Sequence, residues 1–252
     1  MSTTRVEIAA AGPAGISVAR VARLERWVLV GSGLGVSALA TTVLASRSMG
    51  SPSVAAAASM WILMMVAMMM PATLPWLMVV GTLSKSPQGR GSLSPSSVGL
   101  FASGYFAAWV AFAVGGAGLQ VVLRATGLLG PNLALAAPLG GVTLVAAGIY
   151  QVSDAKASCL RHCRNPLGFF LSRWRNGPVG ALRMGLSHGA FCVGCCWALM
   201  LLGFALGLMN LVWMAVLTVV VCVENLTTRG PAVSRGLGFG LVLLGVVMVI
   251  SG

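Results

Sequence analysis

Acidic residues are almost missing from this 252-residue chain, where 4 Asp and Glu stand against 16 Lys and Arg. Charge of either sign is scarce, at 8% of residues, whereas a soluble domain carries about 25%. So few solvated groups cannot cover a globular surface, which excludes a soluble enzyme, a disulfide-stapled secreted domain and a disordered tail. No repeat of the period that marks solenoids is evident, so one helical bundle is the expectation. No ATP-binding motif and no soluble domain are evident either.

What the chain has in abundance is apolar sequence. Hydrophobic residues make up 58%, and the mean hydropathy is +0.94. A helix needs about 20 apolar residues to cross the hydrocarbon core. The runs 27–45, 54–82, 97–123, 133–152, 181–207, 208–226 and 234–251 meet or approach that length. They predict an all-α polytopic membrane protein, a bundle of about seven transmembrane helices, or six if the first is cleaved as a signal peptide. Residues 1–26 read as a cytoplasmic N-terminal tail and 27–252 as a single transmembrane domain. The least marked boundary is Gly207-Leu208-Met209-Asn210, which is short and uncharged.

A pI near 11.0 suggests nucleic acid at first sight, but the basic residues sit between apolar runs. There they set topology and meet anionic head groups, so no nucleic-acid partner is expected. With the N-terminus inside, only Arg47 and Arg124 of the 16 basic residues fall outside. The expected location is the bacterial inner (plasma) membrane, multi-pass, with a cytoplasmic N-terminus and an external C-terminus.

Three features carry chemistry against this background. In the fifth run, His188, Cys192 and Cys195 lie within about 60° on one helix face, with Cys196 at its margin. Gly189 and Gly194 beside them leave room for a close neighbour. Three thiols and an imidazole at membrane depth are costly as mere packing and point to a ligand or redox role. In the second run, Met60, Met64 and Met68 form an i, i+4, i+8 stripe ahead of Pro71. Met68 reaches about the depth of the cysteines. Methionine is also a common gap-filler, but thioether and thiolate at one depth suit a soft ion, above all Cu(I).

The third feature follows the fourth run, where Cys159 and Cys163 stand one helical turn apart with His162 adjacent. The spacing is not that of a structural zinc site. Lys156, Arg161 and Arg164 would lower a thiol pKa but also repel a cation. The acids Asp154 and Glu224 are candidates for a polar relay, or for interfacial pairs with Arg183 or Arg229. In this topology no cysteine faces the outside, so reduced thiols are expected.

Four stretches together resemble the bacterial family of predicted metal-binding integral membrane proteins. They are Trp61 to Pro71; Ala147 to Gln151 with Cys159 to Pro166; Gly185 to Met200 around the Cys192-Val-Gly-Cys195-Cys196-Trp197 motif; and Met209 to Met214 running on through Glu224-Asn225. The resemblance implies metal binding without a substrate or reaction. One departure is Asn225, where a lysine is expected after the glutamate.

The leading expectation is therefore a membrane protein handling Cu(I), or another soft metal, by transport, storage or delivery to a membrane copper enzyme. Its ligands would come from Cys192, Cys195, Cys196, His188, Met64 and Met68, with Cys159, Cys163 and His162 receiving or passing on the ion. No catalytic residues are assigned. A structural or accessory subunit of a larger membrane complex, a copper-dependent one included, is the first alternative. A thiol–disulfide electron carrier is the second, and it requires Cys192/Cys195 and Cys159/Cys163 to meet although helix rise alone separates them by about 10 Å or more.

Overall fold

The computed structural model describes residues 54–85, 96–130, 133–207, 211–227 and 229–251. The N-terminal tail and the expected first span at 27–45 lie outside the described residues. Within them the chain forms helices α1 (Val54–Lys85), α2 (Ser96–Ala125), α3 (Ala137–Val152), α4 (Asp154–Arg164), α5 (Pro166–Arg173), α6 (Gly177–Leu206), α7 (Leu211–Leu226) and α8 (Gly230–Ser251). An isolated bridge between Leu129 and Leu135 is the only strand-like pairing among the described residues.

Among the described residues, four helices are long and apolar enough to cross a membrane: α1 over Val54–Gly81, then α2, α6 and α8. The runs read at 133–152 and 208–226 appear as α3 and α7, of 16 residues each. At about 1.5 Å per residue they fall short of a hydrocarbon core of about 30 Å. α3 ends at the expected residue and is short because it starts at Ala137; its end is set locally. Ser153 takes extended backbone, donates its hydroxyl to Tyr150 O at 2.7 Å, and caps α4 by accepting from Lys156 N at 3.3 Å. The weak boundary after α6 is real, because Gly207 adopts φ 91° and ends that helix. α1 continues as one helix through Pro71 and Pro75.

Glycines set the closest helix pairs. α3 packs on α8, and α2 on α6. A Cβ on Gly141 would come 2.8 Å from Gly245 O, and one on Gly148 would come 2.6 Å from Gly238 O. No larger residue fits at that separation. On the other pair, Gly189 would meet Tyr105 O at 2.7 Å, so the expectation that Gly189 admits a close neighbour holds.

α1 and α6 run antiparallel in a register marked by two ring contacts. Trp61 packs on Phe204 with centroids 5.4 Å apart, and Trp76 stacks on His188 at 3.6 Å. Between these marks Met64 lies level with Met200, and Met68 with Cys196.

Candidate metal centre

α4 is amphipathic because Lys156, Leu160 and Cys163 recur at i, i+4 and i+7, and all three are buried. Asp154 in its first turn and Arg161, His162 and Arg164 in its last suit the helix dipole. This short helix does not project away from the bundle. It packs along α6, where a Cβ on Gly194 would lie 3.1 Å from Cys159 Sγ. Tyr150, at the end of α3, donates its hydroxyl to Gly194 O. Gly194 thus leaves room for α4 itself.

The consequence is that Cys163 reaches α6. It is buried in the same core cluster as Cys192, Cys195 and Cys196, near enough for the Cys192 and Cys195 thiols to act on its protonation. Cys196 Sγ lies 3.5 Å from Cys195 Sγ, and Cys195 Sγ lies 4.0 Å from Asn225 Oδ1. The separation of about 10 Å expected from helix rise is overturned for Cys163, because α4 turns back at Ser153 instead of continuing α3. All six cysteines are free thiols. Donation from Cys192 and Cys195 holds the Cys163 thiol below its ordinary pKa, and burial pushes that of Cys159 up. Neighbouring thiols and burial, more than the basic residues of α4, decide these two groups.

A buried polar knot closes this cluster on one side. Glu224 Oε2 accepts from Lys156 Nζ at 2.7 Å, and Glu224 Oε1 accepts from Gln151 Nε2 at 2.8 Å. Lys156 also donates to Gln151 Oε1, while Ser234 Oγ donates to Gln151 O at 3.1 Å. Lys156 and Glu224 are both 0% exposed, so four helices meet at one ion pair. Glu224 therefore pairs with Lys156 and not with Arg183 or Arg229. Asp154 is exposed in the first turn of α4.

The histidines stand apart from the sulfur atoms. His188 is enclosed by Trp76, Tyr105, Phe101 and Phe169. Its Nδ1 is buried without a hydrogen-bond partner among the described residues. Tyr105 links it to the cluster, since its hydroxyl lies 3.2 Å from Cys192 Sγ. His162 stacks on Phe191 at 4.4 Å and holds Nδ1 3.0 Å from Ser158 O. Met64 and Met68 are buried on α1. Among the described residues, no three His, Cys, Asp or Glu side chains are arranged as a ready metal-binding group.

Reading by sequence missed Lys156 and Tyr105 as parts of this centre. Lys156 looked like a loop cation setting topology, although its i, i+4, i+7 pattern with Leu160 and Cys163 was a signal that it faces inward. Tyr105 had no local signal, because only the packing of α2 on α6 brings it to Cys192.

Residues 58–248 match the family PpoB2, described as a copper chaperone. The chain belongs to that copper chaperone family. No curated protein and no solved structure matches it. Membership in the PpoB2 family points to copper handling.

Proposed function

We propose that the protein is a membrane-embedded Cu(I) chaperone that holds its cargo among Cys163 of α4 and Cys192, Cys195 and Cys196 of α6. The observation that supports this reading most is the return of α4, which adds a thiol from a second helix to the CxxCC motif. Thiolate is the ligating form, so loading releases protons. The thiols rotate from one another toward the ion, which exchanges hydrogen bonds for sulfur–copper bonds. Cys159 at the rim, with His162, receives or passes on the ion. Tyr105 orients Cys192, and His188 behind it keeps Nδ1 free for a ligand role. Met64 and Met68 extend the sulfur along α1. The bilayer is the solvent, and the basic residues place the N-terminus in the cytoplasm of a bacterial inner membrane. Delivery to a copper enzyme or a complex in the same membrane suits this architecture better than pumping.

The same geometry favours a second reading. Cys163 beside Cys192 and Cys195 removes the distance objection to thiol–disulfide exchange between the two cysteine pairs.

The deciding experiment is elemental analysis of the full chain purified in detergent under reducing conditions after copper supplementation. A triple Cys192/Cys195/Cys196→Ser variant and Cys163→Ser accompany it. Near-stoichiometric copper in the native chain, abolished in the triple variant and reduced in Cys163→Ser, supports the proposal. No copper in any form, with helical content intact, overturns it. A Cys163–Cys192 or Cys163–Cys195 disulfide found by mass spectrometry after mild oxidation would then favour the redox reading.

A further inference from the structure

Five of the 14 methionines converge on one cleft that no cysteine lines. Met64, Met65 and Met68 of α1, Met200 of α6 and Met214 of α7 line it, and Gly203 and Gly207 leave it open. Its volume is ≈ 10 Å³, about one water-sized sphere. An ion fits there and an organic substrate does not. The lining contains no carboxylate, imidazole or amide side chain, so a hard cation finds no side-chain oxygen. Methionines used only as filler close gaps by bending into them. Here three helices surround a gap with thioethers and leave it unfilled.

We infer that this cleft is a second soft-ion site, built of thioethers alone, that exchanges Cu(I) with the thiol cluster. The inference rests on the proposed chaperone reading and adds a route to it. On α6, Cys192, Cys196 and Met200 follow at i, i+4 and i+8, and on α1 Met60, Met64 and Met68 do the same. The antiparallel register sets Met68 level with Cys196 and Met64 level with Met200. Two sulfur stripes therefore run side by side from the thiols to the cleft. Each step along a stripe is about 6 Å, one helical turn.

The two stations differ in charge, and that difference assigns their roles. Thiolates neutralise a monovalent ion and hold it tightly. Thioethers are neutral, so the ion keeps its full charge in a medium of low dielectric and is held weakly. A tight site suits storage and a weak one suits release. Transfer is ligand exchange without redox: copper stays Cu(I), its bonds to thiolate sulfur break as bonds to thioether sulfur form, and each freed thiolate takes up one proton.

The test uses the full chain in detergent, labelled with ¹³C at the methionine methyl groups and titrated with Ag(I) as the Cu(I) analogue. Signals are assigned by single Met→Leu variants, which conserve volume. In native protein the first equivalent should leave the cleft methyls in place and the second should shift those of Met64, Met200 and Met214. Met200→Leu/Met214→Leu should lower the capacity from about two ions to about one. In a Cys163/Cys192/Cys195/Cys196→Ser variant the first equivalent should already shift the cleft methyls. Cleft methyls that stay still through both equivalents in native protein overturn the inference, and so does an undiminished capacity in the double methionine variant. Either result with copper still bound at the thiols leaves the chaperone reading standing. Loss of thiol-dependent copper while the cleft methyls still shift would overturn that reading and the exchange between the sites.

Discussion

The α3–α8 pair and the α4–α6–α7 corner are both tightly closed, but by opposite means. α3 and α8 meet backbone to backbone through Gly141, Gly148, Gly238 and Gly245, with little for a ligand to change. The corner is held by a buried ion pair, two side-chain amides and a set of thiols whose hydrogen bonds depend on protonation. The two modes share helices, since Gln151 of α3 reaches the ion pair and Ser234 of α8 bonds to Gln151, but they occupy different stretches of them. The glycine-packed arm acts as scaffold, and the corner is where a proton or a soft ion alters the balance of forces.

The largest effect expected from breaking this contrast is at the ion pair. Lys156→Met strands Glu224 in a buried site and should cost about 3–5 kcal/mol, read as a fall in thermal stability in detergent. Adding Glu224→Leu should restore most of it, because an apolar pair of similar volume replaces two buried charges. A double variant no more stable than the single one would mean that the pair is not the closure. On the scaffold side, Gly148→Val forces α3 away from Gly238 and should cost about 1–3 kcal/mol by overpacking. Copper content per folded molecule should stay unchanged there, and its loss would show that arm and corner are not separable.

Ser153→Ala removes the cap that turns the chain back at α4. It should cost about 1 kcal/mol, and Cys163 should become more reactive toward a maleimide as α4 loosens. The smallest expected change is Tyr105→Phe, which deletes the hydroxyl beside Cys192. Its stability cost is about 0.5–1.5 kcal/mol, and copper should leave faster for a chelator. An unchanged release rate would remove Tyr105 from the centre.

Much of the helix pattern was legible along the chain, since six of the expected runs coincide with helices of the structure. The CxxCC motif and the methionine stripe stood out because soft and ionisable groups are conspicuous in an apolar background. Lys156 was misplaced by the same contrast. A cation in a charged stretch between apolar runs has the look of a topology signal, and only its burial against Glu224, 68 residues away, shows otherwise. The short length of α3 was hidden too, because the apolar residues 133–136 precede the point at Ala137 where the helix starts.

Composition alone determined that this chain is built of long apolar segments, and helices satisfy the backbone groups of such segments internally. Local order alone determined which face of α6 carries the thiols, because helical periodicity is a property of neighbours. The tertiary structure decided that Cys163 joins Cys192 and Cys195, that Lys156 is buried with Glu224, and that Met200 and Met214 meet the stripe of α1. Those contacts join residues from different helices, and their partners are set by helix length, turn direction and packing distance, none of which is a property of any one segment.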